Sequence, residues 1–164
     1  MPTDLARLTT ELTAGDVARR AAAADTASRL GGEAQPLALS LVRATGDADE
    51  AVREGVIAAL EDLGPPRGAD APQLAALLED PCAAVGYWSA TLLGRLGAVA
   101  GPHVAALANA LAQGADMSVR ERAAWALGEI GPGAASARGA LEEAAKSGGR
   151  LARLATATLE KLSP

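Results

Sequence analysis

Apolar residues recur along the chain at helical spacing, and the pattern they form is itself repeated. In AVREGVIAALEDLGP, from Ala51, the residues Val52, Val56, Ala59, Leu60 and Leu63 fall at i, i+4, i+7, i+8 and i+11. That is one stripe on one helix face. SVRERAAWALGEIGP, from Ser118, repeats it with Val119, Ala123, Ala126, Leu127 and Ile130. AVGYWSATLLGRLGA from Ala84 and RLARLATATLEKLSP from Arg150 align with these two, and ARRAAAADTASRLGG from Ala18 is a weaker copy. The closing residues Leu30, Leu63, Leu96, Ile130 and Leu162 stand 33, 33, 34 and 32 residues apart. A period of this size predicts a stack of two-helix units, each unable to bury its apolar face alone.

Start and stop signals frame each first helix. Asp16, Asp49 and Asp116 stand three residues before the first stripe position, where a carboxylate caps free N–H groups. Cys82 occupies that place in the third copy, so Asp80-Pro81 is expected to supply the cap, and Ser147 to do so for the last helix. Gly64, Gly97 and Gly131 follow the last apolar residue as terminating glycines, with Pro65 and Pro132 next. A second helix follows in each unit, with stripes Leu74, Leu77, Leu78; Val104, Leu107, Leu111; and Leu141, Ala144, Ala145. Pro36, Pro72 and Pro102 stand near its first turn. The expected fold is one all-α domain over 1–164, a right-handed superhelix of about ten antiparallel helices. Residues 1–14 form an N-terminal capping helix with Leu5, Leu8 and Leu12. Repeats follow at about 15–47, 48–80, 81–115 and 116–147, and 148–164 caps the other end.

Composition supports helices over sheets. Of 164 residues 42 are Ala and 33 are Leu, Ile or Val, and the aromatics are Tyr87, Trp88 and Trp125. A net charge of −5 argues against a general nucleic-acid binder. One cysteine and one histidine exclude an internal disulfide and argue against a zinc site. MPTDLARLTTELTAG has no apolar signal core and no apolar run approaches membrane length, so a soluble, cytoplasmic protein is expected.

The fourth copy carries D-x-x-V-R followed by A-A-x-A-L-G-x-I-G, in Asp116, Val119, Arg120, Ala123, Ala124, Ala126, Leu127, Gly128, Ile130 and Gly131. This resembles the HEAT-repeat pattern, in particular the short bacterial repeats of phycobilin-lyase-type domains. The resemblance covers about residues 15–164. It implies the solenoid fold without selecting an activity, since that fold hosts scaffolds, adaptors, lyases and glycosylases. It also implies an Asp–Arg ladder between neighbouring repeats, for which Asp16/Arg20, Asp49/Arg53 and Asp116/Arg120 are in register. Cys82 and Gly86 break that ladder in the third copy, as do Gly148 and Ala152 in the fifth.

Enzymatic readings find little support. Cys82 and His103 begin successive antiparallel helices, about 20 Å apart for fourteen residues at 1.5 Å each, too far for a dyad. Glu142 and Glu143 are adjacent and diverge by about 100° around a helix, so they do not clamp a metal. Gly128, Gly131 and Gly133 read as helix ends and turns rather than a phosphate cradle. No catalytic, cofactor or metal-binding residues are assigned. The segment 47–80 has nine acidic and two basic residues, a solvated flank or a patch for a basic partner.

Two surfaces are candidates for a protein partner. Tyr87, Trp88 and Trp125 project from one flank of successive first helices, either packed between them or exposed as an anchor. On the second helices, the positions read as pointing away from the core are Leu37, Ser40, Ala44, Gln73, Ala76, Asp80, His103, Ala106, Ala110, Ala137, Ala140 and Ala144, of which Asp80 alone is charged. The outward positions of the first helices include Arg53, Glu54, Glu61, Asp62, Arg120, Glu121 and Glu129. A surface meeting only water has no reason for this segregation. The expected function is a non-enzymatic scaffold or adaptor, with the partner on the concave second-helix surface at Gln73, Ala76, His103, Ala106, Asn109 and Ala140. The alternative is a phycobilin-lyase-like protein that binds or transfers a tetrapyrrole. No nucleic acid, membrane or cofactor is expected.

Overall fold

A computed structural model describes residues 4–162, and the chain divides into two compact units, Met1–Arg67 and Gly68–Pro164. The described residues contain ten α-helices and no strand. Unit 1 holds α1 (Leu5–Glu11), α2 (Val17–Ser28), α3 (Ala38–Ala44) and α4 (Glu50–Asp62). Unit 2 holds α5 (Ala71–Ala76), α6 (Ala83–Arg95), α7 (Val104–Gln113), α8 (Met117–Ile130), α9 (Arg138–Ala145) and α10 (Gly149–Lys161). Within unit 1, α2 packs along α4; within unit 2, α6, α8 and α10 pack in succession, as do α5, α7 and α9. This is the alternation of first and second helices that the repeat predicts.

Capping chemistry fixes the starts. Asp16, Asp49 and Asp116 accept from the amides of Ala18, Val52 and Ser118, at 2.9, 3.2 and 2.8 Å. Asp4 does the same for Arg7 at 3.0 Å. At α6 the N-cap is Cys82 and no side chain caps the helix; Asp80 Oδ1 accepts from the Cys82 amide at 2.8 Å, ahead of the first helical residue, so the expected substitute does not reach the free N–H groups. Ser147 does not cap α10; its hydroxyl donates backwards to Ala144 O at 2.6 Å, and the N-cap is Gly148 at φ 83°. Gly64, Gly97 and Gly131 take φ of 72°, 56° and 73°, the left-handed conformation that ends a helix cheaply only for glycine.

The structure adds an element the periodicity did not indicate. The first and second helices are joined by seven-residue 3-10 turns over Gly31–Leu37, Gly97–His103 and Gly131–Ala137. Each buries one alanine completely: Ala34, Ala100 and Ala134. Pro36 and Pro102 therefore sit inside these turns, and only Pro72 lies in the first turn of an α-helix.

Close packing of the first helices depends on absent side chains. A Cβ on Gly55 would lie 3.0 Å from the Ala24 Cβ and 3.2 Å from its carbonyl carbon. Gly128, read with Gly131 and Gly133 as helix ends and turns, is buried within α8, where a Cβ would lie 2.9 Å from Thr158 Oγ1. That hydroxyl donates to Ala124 O at 2.9 Å and ties α10 to α8. Ser89, at the centre of α6, is fully buried and its hydroxyl has no partner.

The expected Asp–Arg ladder takes another form. The three aspartates are occupied by their own helices, and Arg20 and Arg53 fasten the loop before theirs. Arg20 donates to the carbonyls of Ala14 and Gly15 at 2.9 and 3.3 Å, and grips both oxygens of Asp47 at 2.6 and 3.1 Å. Arg53 donates to the carbonyls of Asp47 and Ala48 at 2.7 and 2.8 Å. Arg120 reaches Leu111 O at 2.8 Å. The bond from Arg20 holds the Asp47 carboxyl below its ordinary value, against the opposing effect of burial.

A depressed carboxyl contributes stability in full above its unfolded pKa, and that contribution is lost as pH falls through the lower folded value. Asp47→Asn is therefore expected to lower the melting temperature at pH 7. The gap from wild type is expected to close below about pH 4, as the wild-type carboxyl is protonated. Melting curves at a series of pH values check this, and a gap independent of pH would assign the loss to packing instead.

Candidate functional site

The exposed surface of the second helices is not uniform. Between Ala71 and Leu78, and again between Val104 and Gln113, no residue is ionisable. Gln73 and Ala76 on α5 and Asn109 on α7 are exposed, while His103, Ala106 and Ala140 are half-buried. α5 neighbours α7, and α7 neighbours α9, so these residues belong to one run of second helices within unit 2. The first helices α4 and α8 instead expose Glu50, Glu54, Glu61, Asp62 and Glu129. The uncharged stretch does not extend along all of α9, whose Glu142, Glu143 and Lys146 are exposed. Lys146 donates to Glu143 at 2.6 Å, which raises its pKa.

Four positions read as outward are in fact covered. Leu37, Ala110, Ala137 and Ala144 are 1%, 5%, 1% and 4% exposed. Leu37 and Ala137 close 3-10 turns, which advance about 120° per residue, so an α-helical phase carried through them points the wrong way. Ala110 and Ala144 lie on helices packed against one another, α7 on α9.

At the ends of α5 and α7 the surface opens into a cleft of about 350 Å³. Buried Leu78, Ala110 and Val119 contribute its apolar wall, with Pro81 and Ala83 beside them. Its polar lining is Glu79, Asp80, Asn109, Gln113 and Asp116, with no Lys or Arg. Asn109 donates to Glu79 Oε1 at 3.0 Å. Asp116 accepts from the hydroxyl and amide of Ser118, which hold its carboxyl below the ordinary value. Of the residues proposed from sequence, only Asn109 lines this cleft. Two loops a repeat apart build it, a juxtaposition that no local pattern announces.

On the aromatic flank Trp88 is buried and Tyr87 and Trp125 are half-buried. Trp88 is 8% exposed, and Tyr87 meets it edge to face at 5.7 Å between centroids. The Arg122 guanidinium donates to the Tyr87 hydroxyl and lies 4.5 Å from that ring and 5.0 Å from the Trp125 ring. A Cβ on Gly94 would fall 2.4 Å from the Trp125 ring, so the indole fills the space that glycine leaves. These side chains join α6 to α8 through cation–π and ring contacts.

Cys82 and His103 stand at the starts of α6 and α7, each half-buried. Among the described residues no group of three His, Cys, Asp or Glu side chains is placed to hold a metal ion. No described helix is long and apolar enough to cross a membrane.

No protein-family model matches the chain, and no curated protein does. Solved structures do. An engineered protein aligns over 96% of this chain at a TM-score of 0.59 and 19% identity, the chain spanning 47% of that protein's length. A designed armadillo repeat protein, solved in complex with the peptide (KR)4, aligns over 98% of this chain and all of its own, at 17% identity and a TM-score of 0.40. At such identities the likeness concerns the fold alone, and the chain has the all-α fold of a helical repeat protein.

Proposed function

We propose that the chain is a non-enzymatic interaction scaffold that receives a partner protein on the α5–α7 face of unit 2. Gln73, Ala76, Ala106 and Asn109 form the contact, and His103 and Ala140 lie at its margins. The segregation of charge supports this reading. Two neighbouring helices carry no ionisable side chain, while α4 exposes Glu50, Glu54, Glu61 and Asp62 and α8 exposes Glu129. Alanines allow a partner backbone to approach closely, and the amides of Gln73 and Asn109 fix its register.

The test is capture of a partner from host extract on the immobilised protein. Ala106→Arg combined with Ala140→Glu is expected to abolish capture with the thermal midpoint nearly unchanged. Capture that survives this pair but is lost in folded Trp88→Ala or Trp125→Ala would move the site to the aromatic flank. The tetrapyrrole alternative makes a separate prediction, an absorbance shift on mixing with a bilin. A cleft lined with carboxylates suits the propionate groups of such a pigment poorly.

A further inference from the structure

The two units carry a cleft at the same place in the repeat, two repeats apart, and the arginine of one is a glycine in the other. In unit 1 a hollow of about 330 Å³ is lined by Leu12, Thr13, Ala14, Arg43 and Ala44, with Arg20 in its wall. A shift of 66 residues takes the first five to Leu78, Glu79, Asp80, Asn109 and Ala110, all of which line the cleft of unit 2. The same shift takes Arg20 to Gly86. The loop before α6 follows the one before α4, one repeat earlier: Asp80 Oδ1 accepts from the Cys82 amide at 2.8 Å as Asp47 Oδ1 accepts from the Asp49 amide at 2.9 Å.

In the first two repeats the arginine at this position satisfies two loop carbonyls. In the third, the corresponding carbonyls belong to Asp80 and Pro81, and no described residue donates to either. A Cβ at Gly86 would point at Leu78 O and Val119, 3.3 and 3.2 Å away, and both residues line the cleft. The one nearby arginine of the next repeat, Arg120, is engaged with Leu111 O. The cleft thus combines an apolar wall, loop carbonyls and three carboxylates (Glu79, Asp80 and Asp116) without a cation in its lining.

We infer that this cleft takes the arginine side chain of a partner protein segment, in the place that the chain's own Arg20 holds in unit 1. The apolar wall covers the methylene stem, and the planar guanidinium spans loop carbonyls and carboxylates; Glu79, Asp80 and Asp116 stand in for Asp47, the carboxylate that Arg20 grips and that the same shift takes to Gln113. The inference rests on the reading of the chain as a protein-binding module and names the side chain that anchors the partner.

The probe is the peptide acetyl-Leu-Arg-Leu-amide, followed by backbone amide shifts in NMR. Saturable shifts are expected at Cys82, Ala83, Gly114 and Ala115. The citrulline peptide, of the same shape but uncharged, is expected to bind at least about tenfold more weakly. The combination of Asp80→Asn and Asp116→Asn is expected to weaken the arginine peptide similarly, since the Asn amide oxygen can still accept from the Cys82 and Ser118 amides while the charge is removed. Equal binding of the citrulline peptide, indifference to the two Asn substitutions, shifts elsewhere, or none up to about 10 mM would overturn the inference. A negative titration with partner capture intact defeats this inference alone. Capture that survives Ala106→Arg with Ala140→Glu, with a positive titration, defeats only the placement on the α5–α7 face.

Discussion

Truncating Leu93 or Leu127 to Ala is expected to lower the unfolding free energy by about 2–5 kcal/mol in each case. Both side chains are fully buried at equivalent positions of α6 and α8, as Leu60 is on α4. Helix α6 packs against α5 and α8, and α8 against α6, α7 and α10, so each leucine sits on a helix enclosed by several neighbours and no single one can move in to close the cavity. Denaturant titrations of the single variants check the value. Costs below about half a kcal/mol at both sites would mean that these leucines do not lie in the shared core.

Gly94→Ala is expected to destabilise by about 1–3 kcal/mol, although alanine is the better helix former. The cause is the Trp125 ring, 2.4 Å from the position the new methyl would take. The indole is in turn held by Arg122, which bridges it to Tyr87 and limits its retreat. A double-mutant cycle separates the two influences. With Trp125→Ala as the background the clash is gone, and Gly94→Ala is expected to stabilise by up to about 1 kcal/mol, the helix-propensity difference. If Gly94→Ala has the same effect in both backgrounds, the ring is not what keeps position 94 empty.

The features legible in the sequence are those set by short-range chemistry. An aspartate three residues ahead of an apolar stripe marked a helix start at Asp49 and Asp116, and a glycine after the stripe marked its end. The connections were not legible. Gly31–Leu37 and Gly97–His103 share little beyond an initial glycine, a buried fourth-position alanine and a proline at the sixth, and a 3-10 turn has no apolar period long enough to detect. This gap shifted the outward phase of the second helices and hid the burial of Leu37 and Ala137.

The cleft escaped for a different reason. Its wall is assembled from residues some thirty positions apart, and its one sequence trace is the loss of arginine at Gly86. That loss reads as an interruption until the bonds of Arg20 and Arg53 show what the side chain did. The single extra residue of the 34-residue repeat has a similar effect. It falls in the loop from Leu111 to Asp116 and leaves Arg120 bonded to a helix-end carbonyl rather than to the loop.

Among the described residues, seventeen of the forty-one buried apolar side chains are alanine. Each exposes little hydrocarbon when the chain unfolds, so the heat-capacity increment per residue falls below the usual value of about 12–15 cal/mol/K. A small increment flattens the curve of free energy against temperature and moves cold denaturation further from reach. The same alanine-rich packing that leaves no room for a methyl at Gly55 or Gly94 is thus expected to keep the folded state's stability nearly level over a wide thermal range.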